Sequence, residues 1–349
     1  MHLNGLTEDE LKEICIKYNE KPFRAKQLFN FFHVQKRTDL DSINLPAKFI
    51  DELKTNEEIG NAKIIEEYAS NIDETKKLLF ELNDNNIIEG VLMKYKHGYS
   101  QCISTQVGCR MGCIFCASTK AGLIRNLTPA EMIEQVYSVE KKYNIRVSNI
   151  ILMGSGEPLD NYDNVLKFLK LIHDEKGHNM SYRNMTISTC GLADKIYKLA
   201  EEKLPITLAI SLHNTNNISR DKIMPINKKF KIEDVIKACR FYSEKTGSRI
   251  TFEYTLIHNQ NDSYENAIEL KKLLKGLNSH INLIPLNPIE EYNEKRPDKH
   301  EIESFKNKLE KLSLQATIRR ELGSDINASC GQLRRKYKRG GISEIHSSN

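Results

Sequence analysis

Cys109-Arg110-Met111-Gly112-Cys113-Ile114-Phe115-Cys116 sets three thiols within eight residues, separated by three and then two residues. Three thiolates this close on one loop face a common centre, and soft thiolate ligands select zinc, copper(I) or iron–sulfur clusters. A structural zinc site wants a fourth ligand at comparable spacing, and no second Cys or His pair follows. Three protein ligands on a four-iron cube leave one iron open, where a small molecule binds metal directly. A zinc knuckle, or a set of buried thiols, is the plainer reading of the same run.

Outward from this loop, short β-rich runs at 149–153, 185–188, 207–212, 249–257, 281–286 and 316–320 alternate with helical patterns at 129–143, 163–173, 193–202, 232–245, 264–274 and 299–312. Repeated β-α units imply a parallel sheet, open or curled into a full or partial barrel. Ligands of such sheets sit at the carboxyl ends of the strands. Those ends carry Gly154-Ser155-Gly156-Glu157-Pro158, Ser188-Thr189-Cys190-Gly191, Ser211-Leu212-His213 and Asn287-Pro288. Upstream, Thr7 with Glu10 forms a capping-box pattern, and apolar residues recur at helical spacing through Leu28, Phe31 and Phe32, then Phe49, Ile50 and Leu53, which predicts a small helical domain. Runs at 76–82 and 87–95, split by Asn83-Asp84-Asn85-Asn86, predict a β-hairpin between the two.

Over 349 residues, 39% hydrophobic and 28% charged side chains without Trp describe a globular chain, not a disordered or membrane-spanning one. Residues 1–18 lack the cationic, apolar and small-residue succession of an export signal, so a cytoplasmic location with no membrane contact is expected. In a reducing compartment the eight cysteines read as ligands, catalytic thiols or core residues, not as structural disulfides. The net charge of +5 is mildly basic. Its distribution is more informative: Arg334, Arg335, Lys336, Lys338 and Arg339 crowd the C-terminal tail, and Arg24, Lys26, Lys36 and Arg37 accompany Phe29, Phe31, Phe32 and His33. Such runs fit a nucleic-acid partner or simply a solvated face.

The C-x3-C-x2-C spacing resembles that of the radical S-adenosylmethionine superfamily. The resemblance narrows to the RlmN family of adenine methyltransferases over 101–119, 153–164, 210–213 with 224–227, 284–288 and 319–334. The block Arg319-Arg320-Glu321-Leu322-Gly323-Ser324-Asp325-Ile326, ending in Ser329-Cys330-Gly331-Gln332-Leu333, is especially characteristic. It implies an α/β fold, a partial (β/α)6 TIM-like barrel with a small helical N-terminal accessory domain. The expected organisation is an RNA-binding accessory domain at 1–72, a hairpin linker at 73–98, the radical core at 99–325, and a C-terminal segment at 326–349 with a methyl-carrying cysteine and basic tail.

The same resemblance implies an enzyme that methylates carbon 2 of one adenosine in the peptidyl-transferase region of 23S rRNA, and of the adenosine 3′ of certain tRNA anticodons. Its cofactors would be a 4Fe–4S cluster held by Cys109, Cys113 and Cys116, and two molecules of S-adenosylmethionine per turnover. Cofactor binding falls to Gly156, Glu157, Ser188, Ser211, Leu212, His213 and Asn287. Cys330 would carry a methyl group and form a covalent link to the base; Cys102 would resolve that link through a transient disulfide, as a thiolate; Glu89 would accept the adenine proton. Outside the family pattern, Glu89 reads as a surface acid, Cys102 and Cys330 as small core residues, and His213 as a hydrogen-bonded strand-end histidine. Cys190, where the family more often has Ser, and Asn214-Thr215, in place of a usual Ala-Pro, depart from the pattern. An electron donor such as flavodoxin or ferredoxin and a monomeric state are also expected. The rivals are the related Cfr type, which methylates carbon 8 of the same rRNA adenosine, and a zinc-dependent RNA-binding module without catalysis.

Overall fold

The computed structural model describes residues 2–287, 289, 291–292, 294–329 and 331–333. Cys330, Pro288 and the basic residues of 334–349 therefore lie outside the described residues. The N-terminal part holds α1 (Glu8–Lys17), α2 (Arg24–His33) and α3 (Ala47–Asn56). Thr7 accepts from the Glu10 backbone and Glu10 reaches back to the Thr7 N–H at 2.7 Å, so the capping box forms and two orphan donors are satisfied. Phe29, Phe31, Phe32, Phe49 and Leu53 are buried, as the helical spacing predicts.

A ten-stranded sheet follows. Its strands are β1 (Lys63–Ala69), β2 (Lys76–Glu81), β3 (Ile87–Tyr95), β4 (Gly98–Cys102), β7 (Val147–Leu152), β8 (Met185–Thr189), β9 (Thr207–Ser211), β10 (Ile250–Leu256), β11 (Ser279–Pro285) and β12 (Ala316–Ile318). A separate ribbon, β5 (Gln106–Gly108) with β6 (Leu123–Asn126), brackets the cysteine loop. The strands β1 to β4 pair antiparallel, and from β4 through β12 every pairing is parallel. The hairpin of 76–82 and 87–95 is thus an extension of the same sheet, with β1 and β12 at its edges.

Helices α4 (Pro129–Tyr143), α5 (Tyr162–His173), α6 (Ala193–Glu201), α7 (Asn217–Ile223), α8 (Ile232–Thr246), α9 (Tyr264–Leu274) and α10 (Lys299–Lys311) connect the parallel strands, which makes the architecture the expected β-α barrel segment. Local chemistry fixes their ends. The helix α4 starts at a Thr128 capping box with Pro129 in its first turn and stops at Asn144 in the left-handed region; α8 stops at Gly247, also left-handed. Among the described residues no helix is long and apolar enough to cross a membrane.

The two faces of β3 divide its labour. Ile88 and Leu92 join the main core, whereas Val91 and Met93 form a second apolar cluster with Cys102, Leu322, Ala328 and Leu333. Side chains alternate along a strand, so Glu89 shares the face of Val91 and Met93. Val91 pairs directly with Cys102, which puts that thiol on the same face.

Candidate active site

The carboxyl ends of the parallel strands enclose a cavity. The thiols of Cys109, Cys113 and Cys116 line one part of it, and Gly156, Glu157, Ser188, Ser211, His213 and Asn287 line another. Polar residues from four different strand ends therefore meet the cysteine loop, as a site assembled from many loops requires. Leu212 is the exception among the predicted binding residues: its side chain is fully buried in the core, and only its main chain faces polar partners.

The cysteine loop is held by its own backbone. Cys109 N–H donates to Gly122 O at 3.1 Å, Thr119 Oγ1 donates to the Cys113 and Cys116 carbonyls at 3.0 and 2.9 Å, and Ile114 N–H reaches Ile223 O at 3.1 Å. Burial pushes the Cys109 thiol up to about 12 and raises Cys113 further in the same direction. Without a cation to replace the protons these thiols stay neutral, so metal binding is coupled to their deprotonation.

Opposite the thiols, Gly156 has φ +111°, and a Cβ there would lie 2.7 Å from Gln106 Cβ and 2.8 Å from Gln106 N. Only glycine allows the chain to pass so close. The next residue, Glu157, is buried; it accepts N–H bonds from Leu159 at 3.0 Å and Cys190 at 2.8 Å, yet burial still raises its pKa. His213 sits in the left-handed region at φ 55°, with its Nδ1 accepting from the Thr255 N–H at 3.0 Å. The proton is thereby assigned to Nε2. Burial, reinforced by the nearby Arg220 charge, lowers its pKa to about 3, so the ring is a neutral donor.

The C-terminal block lies over this site. Gly331 lines the cavity and its carbonyl accepts from Ala117 N–H at 2.7 Å, directly after the cysteine loop; Ser118 Oγ donates to Leu333 O at 2.8 Å. At the other end, Asp325 accepts from Ser70 Oγ at 2.6 Å and Asn71 N–H at 2.8 Å, and Gly323 N–H donates to Asp73 at 3.0 Å. The block is anchored to the β1–β2 turn and to the cysteine loop, and it packs on the β3–β4 face that bears Glu89 and Cys102. Those two residues are buried beside the cavity and are not part of its lining. Among the described residues the cysteines carry no disulfide.

Several site groups have no local signal in the sequence. Glu253 on β10 and Arg319 after β12 both line the cavity and pair at 3.4 Å, with Asn282 Nδ2 donating to Glu253 at 3.0 Å. Arg220 is buried beneath the strand ends. Each partner comes from a different element, so only the fold reveals the grouping.

The donor set fits a cube-shaped cluster. Among the described residues no three His, Cys, Asp or Glu groups converge as ligands of one metal ion. A four-iron cluster makes a different demand, one thiolate to each of three separate irons, and the three cavity thiols match it. Hydroxyl, amide and carboxylate groups across the same cavity suit a polar small molecule on the remaining iron.

A parallel β-α barrel segment with three loop thiols at the strand ends defines a cluster-dependent enzyme class. Residues 103–270 match the family described as the Radical SAM superfamily, and 1–59 match the ribosomal RNA large subunit methyltransferase N-terminal domain. A relative from Clostridium novyi (strain NT), described as a probable dual-specificity RNA methyltransferase RlmN, is 53% identical over 96% of this chain and 98% of its own. One of the same description from Clostridioides difficile (strain 630) is 49% identical over the same shares. The crystal structure of a radical SAM methyltransferase from Sphaerobacter thermophilus superposes with a TM-score of 0.91, at 40% identity over 96% of this chain and 100% of that one. The chain belongs to the RlmN family of radical SAM methyltransferases. A 4Fe–4S cluster and S-adenosylmethionine are the cofactors of that family.

Proposed function

We propose that the chain methylates carbon 2 of adenosine in RNA, at one adenosine in the peptidyl-transferase region of 23S rRNA and at the adenosine 3′ of certain tRNA anticodons. One observation carries the reading: Gly331, next to Cys330, lies in the same cavity as the three loop thiols, while Glu89 and Cys102 sit on the face beneath the same C-terminal block. The description of the curated relatives as dual-specificity RNA methyltransferases supports RNA as the substrate.

Carbon 2 of adenine is electron-poor and does not attack a methyl sulfonium, so the carbon must arrive as a radical. The cluster and S-adenosylmethionine, when bound, supply the methyl group and a 5′-deoxyadenosyl radical. In this chain Cys109, Cys113 and Cys116 hold the cluster. Gly156 gives close backbone approach, Glu157 accepts from the cofactor amino group, and Ser188, Ser211, His213 and Asn287 supply hydroxyl, ring N–H and amide partners; Leu212 contributes through its main chain. Cys330 carries the methyl group whose carbon becomes linked to the base. Glu89 takes the adenine proton as the link collapses, and Cys102 attacks the Cys330 sulfur to release the base. Burial of Cys102 excludes competing thiols from that exchange.

The accessory domain at 1–72 and the tail within 326–349 hold RNA phosphates, the strands of 73–98 join them to the core at 99–325, the electron donor is of the flavodoxin or ferredoxin kind, and the chain acts as a monomer. A base that must meet Cys330 is unstacked, so a loop or flipped adenosine is the substrate. The test is the Cys102→Ala variant, reconstituted anaerobically with cofactor, reductant and an rRNA fragment. It should accumulate a protein–RNA crosslink while the wild type turns over; a variant that turns over without crosslink contradicts the assigned roles.

A further inference from the structure

Arg220, on α7, is the largest fully buried side chain of the molecule's described part, with 0% exposure. Its N–H groups are well satisfied: Nε donates to Leu212 O at 3.0 Å, Nη1 to Asn227 Oδ1 at 2.9 Å, and Nη2 to Cys190 O at 2.7 Å and Ser211 O at 2.9 Å. Every one of these acceptors is neutral. Among the described residues Arg220 makes no ion pair; Asp221 acts on it at a distance, with the Asn227 amide between them donating to Asp221 at 2.7 Å. Asp221 is already engaged by Lys231 at 3.1 Å.

Hydrogen bonds to carbonyls satisfy the donors and leave the charge. Taking an ion out of water costs several kcal/mol even after relaxation, and that cost is met only by a nearby opposite charge. Towards the cavity the guanidinium meets the main chain of Cys190 and Ser211, and both residues line the same cavity as the thiol of Cys113. The element that carries Arg220 also braces the cysteine loop, since Ile114 N–H bonds to Ile223 O at 3.1 Å and the Pro225 ring lies under Gly112.

We propose that Arg220 is a positioning residue for the iron–sulfur cluster, the buried cation that balances its negative charge and holds its reduction potential up. The proposal rests on the assignment of Cys113 as a cluster ligand. Reduction adds one negative charge to the cluster, and a fixed positive charge nearby in a low-dielectric interior stabilises the reduced form more than the oxidised one. The same guanidinium ties the carbonyl ends of β8 and β9, so charge and strand-end geometry must be separated experimentally.

Three variants of the full chain, reconstituted anaerobically, do so by potentiometric titration followed by electron paramagnetic resonance, with iron and sulfide measured on each. Arg220→Met removes the charge. Arg220→Lys keeps it and loses most of the fork. The double variant Asn227→Asp with Asp221→Asn keeps the side-chain volumes and the net charge, gives up the Asn227 bonds to Asn217, and moves a carboxylate directly onto the guanidinium; it covers the case in which Arg220→Met does not fold. The midpoint should move to more negative values in the first and third and stay near the wild type in Arg220→Lys. An unchanged midpoint in a fully loaded Arg220→Met or double variant overturns the proposal, as does an equal shift in Arg220→Lys. A wild type that takes up no iron or sulfide instead sinks the cluster assignment itself.

Discussion

Glu134→Gln is predicted to stabilise the protein in a strongly pH-dependent way. Glu134 lies on α4 where the N-terminal segment docks; among the described residues only Asn4 Nδ2 donates to its carboxyl, at 3.1 Å, and 2% of the residue is exposed. Burial raises its pKa from 4.5 to about 7, and Lys141 and Asn4 offset part of that. The folded chain therefore keeps a proton that the unfolded chain releases, and stability contributed by this group falls as the pH rises from 4.5 to 7. At about 1.4 kcal/mol per pH unit the loss is at most about 3 kcal/mol, complete above pH 7. His33 acts in the opposite sense, because burial lowers its pKa from 6.5 to about 4 and stability rises across that window. The wild-type profile is flattened by the two, so the difference between variant and wild type is the quantity to read. Urea unfolding followed by circular dichroism, suited to a chain without Trp, should give nearly equal stabilities near pH 4 and a variant advantage that grows to about 3 kcal/mol by pH 7.5. A difference that stays constant with pH refutes the reasoning.

Gly331→Ala should lower methylation steeply at unchanged iron content: φ is +82° and a Cβ would sit 3.1 Å from Phe115 O, which adds roughly 1–2 kcal/mol of backbone strain beside position 330. Asp325→Ala releases the Ser70 and Asn71 anchors of the C-terminal block; turnover should fall several-fold while cofactor binding by equilibrium dialysis holds. The N-terminal cations divide into two kinds. Lys36 pairs at 2.5 Å with Glu140, which is only 1% exposed, so Lys36→Glu should destabilise by on the order of 3 kcal/mol in denaturant titrations. Arg24→Glu with Lys26→Glu should instead weaken RNA binding, most visibly at low salt in filter binding, with a smaller loss of stability from the Arg24 contacts to Glu20 and Gln27.

The helix α4 begins and ends where its pattern predicts, because Thr128-Pro129 and Asn144 are strong local start and stop signals; α9 likewise opens at Ser263. The parallel strands are recovered to within about two residues by their apolar runs. The strand β4 is not, since Gly98-Tyr99-Ser100-Gln101-Cys102 is polar and lacks β-branched residues; its pairing with β3 and β7 decides its conformation. The charge-rich β1 was equally hidden. Of the site, the cysteine loop and the strand-end residues were legible from spacing and position. The contribution of Lys36 to folding, the Glu253–Arg319 pair and the Arg220 cation were not, because the first two join groups 104 and 66 residues apart and the third depends largely on main-chain carbonyls that carry no sequence identity.

The most direct measurement is the position of the transferred methyl group. The anaerobically reconstituted chain, supplied with reductant, methyl-deuterated S-adenosylmethionine and a 23S rRNA fragment, is allowed to turn over, and the digested RNA is analysed by tandem mass spectrometry. Label at carbon 2 of a single adenosine is the predicted result. Label at carbon 8, or RNA that returns unmodified from a cluster-loaded enzyme, contradicts the account.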